Sequence, residues 1–273
     1  AKIAVMFNAS IVLYNTPFKE VELVVATLRQ SALVQKIFLL DNSPKADFRF
    51  TKLPVTYVFN DKNLGYGAAH NIALRQSLQE KKPYHLVLNA DIQFDADILA
   101  KMKQFMDKNV HIGLLMPKVF YSDGKIQYLC KLLPTPWDLL ARRFLPKSWI
   151  RRRTERFELR ASGYNRLINA PYLSGCFMLL RTEALEKVGL FDERFFMYPE
   201  DIDLTRRIHR HYATCFYPDV SVIHAHTQGS YKNRKLLWIH LINMAKYFNK
   251  WGWLCDSERR KINAETLKSI NIQ

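Results

Sequence analysis

The alternation of short aliphatic runs with longer amphipathic stretches constrains this chain more than any other feature of its 273 residues. Residues 9–14, 37–41, 55–60 and 85–92 are β-branched or aliphatic runs of strand length, and 18–30 and 67–80 carry helical spacing. Strands that alternate with helices imply βαβ units, because parallel neighbours need a crossover. A helix is expected after Asp95, running to Lys108, then a strand at 112–117 and a turn at 122–124. Residues 172–181, containing YLSGCFMLL, read as one further strand, and TEALEKVGL as a capped helix closed by Gly189. The predicted fold is α/β, with a mainly parallel central sheet flanked by helices.

Ligands of such sheets bind beyond the carboxyl ends of the strands. Three strand ends carry polar groups suited to that: Asn15, the pair Asp41 and Asn42, and the trio Asn89, Ala90 and Asp91. From 132 to 169 the pattern weakens; Pro134, Pro136 and Pro146, with interleaved Trp and Arg, mark an inserted or mobile segment. Residues 234–253 return to helical spacing with a basic side.

At 48% hydrophobic and 24% charged residues, the chain is far from the composition of disorder. Its 41 basic against 25 acidic residues leave +16, which implies an anionic partner: nucleic acid, anionic lipid or a phosphorylated ligand. The excess is local, because Arg142, Arg143, Lys147, Arg151, Arg152, Arg153, Arg156 and Arg160 are opposed there only by Glu155 and Glu158. Trp137, Leu139, Leu140, Phe144, Leu145, Trp149 and Ile150 are interleaved with them. A solvated charged face is one reading of such a run; an interfacial segment against anionic lipid is the other. Cys130, Cys176, Cys215 and Cys255 lie far apart with no CxxC pair, which fits a reducing compartment. No run of about 18 apolar residues exists and the first residues lack a secretory pattern, so neither a membrane span nor export is expected.

Two groups of acids are candidates for chemistry. A diphosphate leaving group needs charge neutralisation, usually by a hard divalent cation that prefers carboxylate oxygen. Asp91 is a candidate ligand, although a strand-end Asp also simply begins turns or caps helices. In FDERFFMYPEDIDLTRRI, Glu200, Asp201 and Asp203 open a helix, where the macrodipole alone favours acids. Asp201 and Asp203 diverge by roughly 200° around that helix, so the three cannot share one task. The aromatic approach FFMYP places at least one of them in a partly dry cleft.

The ordered set IVLYN, LLDNS, NLGYGAAHN, LNAD, LSGCFMLL, GLFDERFFMYPEDIDLTRR and VIHAHTQGS closely resembles the family-2 glycosyltransferases of bacterial surface-polysaccharide pathways, particularly the rhamnosyltransferase-like branch. The resemblance covers roughly residues 9–230. It implies a GT-A nucleotide-diphospho-sugar transferase domain over residues 1–230, with 231–273 as a basic amphipathic helical extension. It also implies inversion at the anomeric carbon, with dTDP-rhamnose the first expectation for the donor and a UDP-hexose or UDP-HexNAc the alternative. The acceptor it implies is a hydroxyl of a glycan or polyprenyl-diphosphate-linked glycan, in O-antigen or capsule synthesis at the cytoplasmic side of the plasma membrane. By the same resemblance Tyr14, Asn15, Asp41 and Asn42 hold the base and ribose, and Asn63, Gly65 and Asn71 lie beside the donor. Asn89, Ala90 and Asp91 match the Asp-x-Asp element, with Asn89 in place of its first Asp and Asp91 directed at Mn²⁺ or Mg²⁺. Glu200 and Asp201 match the catalytic acidic pair, Asp201 as general base and Asp203 as a structural residue near Arg206 or Arg207. The metal-binding histidine aligns with His224, with His226 two residues on.

Other classes fit less well. A nucleic-acid partner is not expected, because no stacking platform or docking motif lines a basic groove. A dinucleotide-dependent oxidoreductase is disfavoured because NLGYGAAHN lacks GxGxxG spacing and follows a later strand. A non-catalytic binding module has no need of Asp91, Glu200 and Asp201.

Overall fold

The computed structural model describes residues 7–138, 145–225 and 234–271. Its strands are β1 (Phe7–Leu13), β2 (Val34–Asp41), β3 (Thr56–Phe59), β4 (Tyr84–Leu88), β5 (Ile92–Gln93), β6 (Ile112–Phe120), β7 (Cys130–Lys131), β8 (Ile168–Asn169), β9 (Tyr172–Leu173), β10 (Phe177–Arg181) and β11 (Ala213–His224). Its helices are α1 (Phe18–Gln30), α2 (Tyr66–Gln79), α3 (Asp97–Lys108), α4 (Lys147–Phe157), α5 (Thr182–Val188), α6 (Glu200–His209), α7 (Arg234–Trp251) and α8 (Ser257–Asn271). Leu139, Leu140, Arg142, Arg143, Phe144 and His226 lie outside the described residues.

The central sheet runs β3-β2-β1-β4-β10-β6-β11-β5, with β8 also on β11, and β7 pairs β9 separately. It is parallel across β3-β2-β1-β4, as the βαβ pattern predicts, and parallel again between β6 and β11. The sheet as a whole is mixed, because β10 enters antiparallel between β4 and β6. A buried apolar run reports that a segment is a strand and says nothing of its direction.

Period-2 alternation divides the core between the two faces. Leu86, Leu88, Phe177 and Leu179 join α1 and α3 through Val21, Leu28, Met102 and Met106. Val87, Met178 and Leu180 turn the other way, against Leu74 of α2 and Leu204 and Ile208 of α6. Each such side chain contributes roughly 1.5–3 kcal/mol by burial, which fixes register and therefore where the strands end. Leu13 pairs with Asp41 and Ile11 with Leu88, so residues 14–15, 41–42 and 89–91 gather at one edge.

Two predicted strands are interrupted, and both breaks face that edge. The 85–92 run stops at Leu88; Asn89 to Asp91 turn, and β5 leaves to pair with β11. The 172–181 run is split between β9 and β10 at Ser174, Gly175 and Cys176, where the Gly175 N–H donates to Asp201. The helix expected over 234–253 ends at Trp251, because Gly252 at φ +98° turns the chain.

Candidate active site

One end of the groove is built from strand termini. Asp41 is buried and accepts the Tyr57 hydroxyl at 2.6 Å and the Ser43 N–H at 2.9 Å. Asn42 accepts from Asn60 Nδ2 at 2.9 Å and donates to the Gly65 carbonyl at 3.1 Å. Tyr14 is exposed, and Asn15 adopts φ +51° with its N–H donating to Ser43 Oγ at 2.8 Å. Asn63 accepts the Gly65 N–H at 3.0 Å, holding Gly65 at φ +85°. A Cβ there would lie 2.2 Å from the Phe196 carbonyl oxygen, which instead accepts the Tyr66 N–H at 3.1 Å. Asn71 acts on the adjoining loop. Its Nδ2 donates to the Phe191 carbonyl and Glu193, both at 2.9 Å, and its Oδ1 accepts the Phe191 N–H at 3.0 Å. With both amide hydrogens engaged there, Asn71 clamps α2 to the loop before α6.

Sheet pairing explains how Asp91 and His224 meet although they are far apart in sequence. His224 pairs with Ile92 across β11 and β5, and the Ala225 N–H donates to the Asp91 carbonyl at 3.1 Å. The result is 3.3 Å between Asp91 Oδ1 and His224 Nε2. Two ligands at adjacent octahedral positions around Mg²⁺ are about 3 Å apart, so this pair fits a small divalent ion. Among the described residues no cluster of three or more metal-ligating side chains exists. Two protein ligands, with phosphate oxygens completing the shell, is a common arrangement for such a cation. Asn89 presents Nδ2 to His224 Nε2 at 3.3 Å, while its Oδ1 accepts the Tyr66 hydroxyl at 3.0 Å.

The acidic helix forms the opposite wall. Asp201 accepts the Gly175 N–H at 3.0 Å through Oδ2 and the Ile202 N–H at 2.8 Å through Oδ1. Burial pushes its carboxyl up to about 6, against the opposing pull of the Gly175 N–H and the Lys131 ammonium. It is therefore ionised at neutral pH yet basic enough to take a proton. Glu200 is buried with Oε2 unpartnered, and burial together with the Asp201 charge drives its carboxyl well above the usual range. Tyr66 bridges the walls: its one hydroxyl hydrogen is shared between the Asn89 amide oxygen and the nearer Gly175 carbonyl at 2.7 Å, and the charges of Asp201 and Asp91 act on it.

Asp203 points away from this groove and accepts Arg207 Nε and Trp251 Nε1, each at 2.8 Å. Behind it the buried Arg206 guanidinium meets Asp256 at 2.7 and 2.8 Å and Glu258 at 2.6 Å, and packs over Trp251 at 4.1 Å. Asn243 of α7 accepts the Phe196 N–H at 3.0 Å. The C-terminal helices therefore support the wall that carries Asp201. Tyr66, Gln127, Gly175 and Lys131 escape sequence reasoning. Only Tyr66 and Gly175 carried a signal, an aromatic between two glycines and a glycine inside an apolar run.

Residues 11–189 match the sequence profile described as Glycosyl transferase family 2. The chain belongs to glycosyl transferase family 2. This family-2 chain is 28% identical over 184 residues to N-acetylglucosaminyl-diphospho-decaprenol L-rhamnosyltransferase of Mycobacterium tuberculosis, across 61% of this chain and 58% of that protein. It thus spans little more than half the length of that relative. Its fold is similar to that of S. aureus TarS 1–349 in complex with UDP, with TM-score 0.59, 15% identity, and 96% and 70% of the two chains covered. It is also similar to the mannosyltransferase PcManGT of Pyrobaculum calidifontis in complex with GDP-Man and Mn²⁺, with TM-score 0.55, 15% identity, and 97% and 75% covered. These structures establish the shared GT-A fold of the family-2 chain. Its profile match ends before Glu200, Asp201 and His224, so their roles are argued from geometry.

Proposed function

We propose that this protein transfers a sugar, with inversion, from a nucleotide diphosphate donor to a hydroxyl of a lipid-linked glycan. The observation that carries this reading is the opposition of two walls across Tyr66: the Asp91–His224 pair on one side and the backbone-held Asp201 carboxylate on the other. The strand ends at Asp41 and Asn42 receive the base and ribose. Asp201 takes the proton of the acceptor hydroxyl as its oxygen bonds to the anomeric carbon, and the bond from that carbon to phosphate breaks with its electron pair leaving on the nucleoside diphosphate. Asp91 and His224 would hold a divalent cation, which neutralises the departing diphosphate. Fixing donor and acceptor in line for this displacement supplies much of the remaining rate.

L-rhamnose is the donor sugar we favour, and a polyprenyl-diphosphate-linked sugar the acceptor; the name of the mycobacterial relative supports both. A panel of dTDP-, UDP- and GDP-sugars, scored by thermal stabilisation with added Mn²⁺, tests the donor. The largest shift is expected with dTDP-rhamnose, and a larger shift with a UDP-hexose or UDP-HexNAc replaces it.

A lipid-linked acceptor places the enzyme at a membrane surface. Among the described residues no helix is long and apolar enough to cross a membrane. Trp137 and Trp149 are 57% and 79% exposed, and Trp253 and Leu254 are 45% and 82% exposed. Buried Arg259 ties the segment that carries Trp137 to that of Trp253, donating to the carbonyls of Pro134 at 3.4 Å and Trp253 at 3.2 Å. Exposed rings beside the arginines of α4 suit an anionic interface. Flotation with phosphatidylglycerol liposomes should fall at least several-fold when Trp137, Trp149 and Trp253 are replaced by Ala; unchanged flotation removes this surface from the proposal.

A further inference from the structure

Gln127 lies between β6 and β7, is buried, and aims both ends of its amide at His224. Its Nε2 donates to the His224 carbonyl at 2.8 Å and to the Phe120 carbonyl at 3.3 Å, while Oε1 lies 3.0 Å from His224 Nδ1. The two carbonyls fix the orientation of the amide, since a flipped amide would point its oxygen at two other oxygens. Oε1 therefore faces Nδ1, and Nδ1 must carry a hydrogen. In the neutral ring Nε2 then carries no hydrogen and presents its lone pair.

That lone pair is directed at the Asp91 carboxylate, 3.3 Å away. Two acceptors so close repel unless a proton or a metal cation lies between them. The hydrogen bonds that fix this polarity run from His224 Nδ1 to Gln127 Oε1 and from Gln127 Nε2 to the carbonyls of His224 and Phe120.

We infer that Gln127 is a positioning residue that commits His224 to the Nδ1–H tautomer, so that Nε2 and Asp91 together form a divalent-cation site. The inference rests on the reading of Asp91 and His224 as the metal pair. Outer partners of metal-bound histidines typically act in this way, and their loss weakens binding by about 10–100-fold.

The test uses the full chain free of metal. Nitrogen-15 spectra of the histidine rings at alkaline pH, with H224A identifying the signal, should show the Nδ1–H tautomer for His224. An Nε2–H tautomer in the unmodified protein overturns the inference without any Gln127 variant. Gln127→Met should move the ring toward Nε2–H and weaken binding of Mn²⁺ alone, followed by its EPR signal, about 10–100-fold. Asp91→Asn separates the two levels of the argument. If it binds Mn²⁺ as tightly as the unmodified protein, the metal pair itself is wrong; if it binds weakly while Gln127→Met binds normally, only the role of Gln127 fails.

Discussion

Replacing Asp201 with Asn is expected to lower kcat by roughly 100- to 10,000-fold, the span a positioned general base contributes, while donor affinity stays within a few-fold. Steady-state transfer assays combined with calorimetric nucleotide titration read both quantities. Retained turnover removes Asp201 as the base. The carboxyl of Asp201 sits at about 6, so kcat/KM should rise with pH through that value and level off above it, because only the ionised form accepts a proton. Stability supplies an independent check. A carboxyl raised above its unfolded value favours the fold in its neutral form, and this contribution is full below about 4 and lost as pH passes 6. The Tm of Asp201→Asn relative to the unmodified protein should therefore improve between pH 4 and pH 7. Glu200 makes the contrast. Held neutral by burial and by its neighbour's charge, it should tolerate Gln with far less loss of turnover than Asp201 tolerates Asn.

Chelation is expected to lower transfer by roughly 100-fold or more, with recovery on adding Mn²⁺ or Mg²⁺, since charge stabilisation of a leaving group contributes on that scale. Asp91→Asn and His224→Ala should each reproduce most of the loss. The double variant should be little worse than either, because two ligands of one ion act as a unit. Product formation measured with and without exhaustive EDTA decides the matter; full activity in chelator, or additive losses in the double variant, would overturn a shared cation.

The sequence made strand ends legible and left their connections hidden. Asp41, Asn42, Asn89 and Asp91 stand out because polar residues after buried aliphatic runs mark the edge where parallel strands finish. The direction of β10 did not stand out, since its periodicity is the same either way up. Gln127 was invisible for a different reason: one polar residue in a loop acquires meaning only through a bond to His224 across 97 positions. Asn71 shows the converse. Its place in NLGYGAAHN associates it with the donor groove, whereas its burial on α2 directs its amide to the 191–193 loop. The wall of C-terminal helices depends on Arg206 finding Asp256 and Glu258, and local spacing of charges cannot indicate which distant acid an arginine will meet.

That Arg206 cluster also sets the terms on which relatives could exchange parts. A guanidinium enclosed between Asp256 and Trp251 tolerates no unmatched neighbour, because removing one partner of a buried pair costs about 3–5 kcal/mol. A chimera that takes its sheet from one enzyme and its final helices from another must therefore carry Arg206, Trp251 and Asp256 as an inherited set. Otherwise it would leave a charge stranded behind the helix that holds Asp201. Residues at the strand ends can change without disturbing this arrangement, whereas the C-terminal helices and the acidic helix are bound to diverge together.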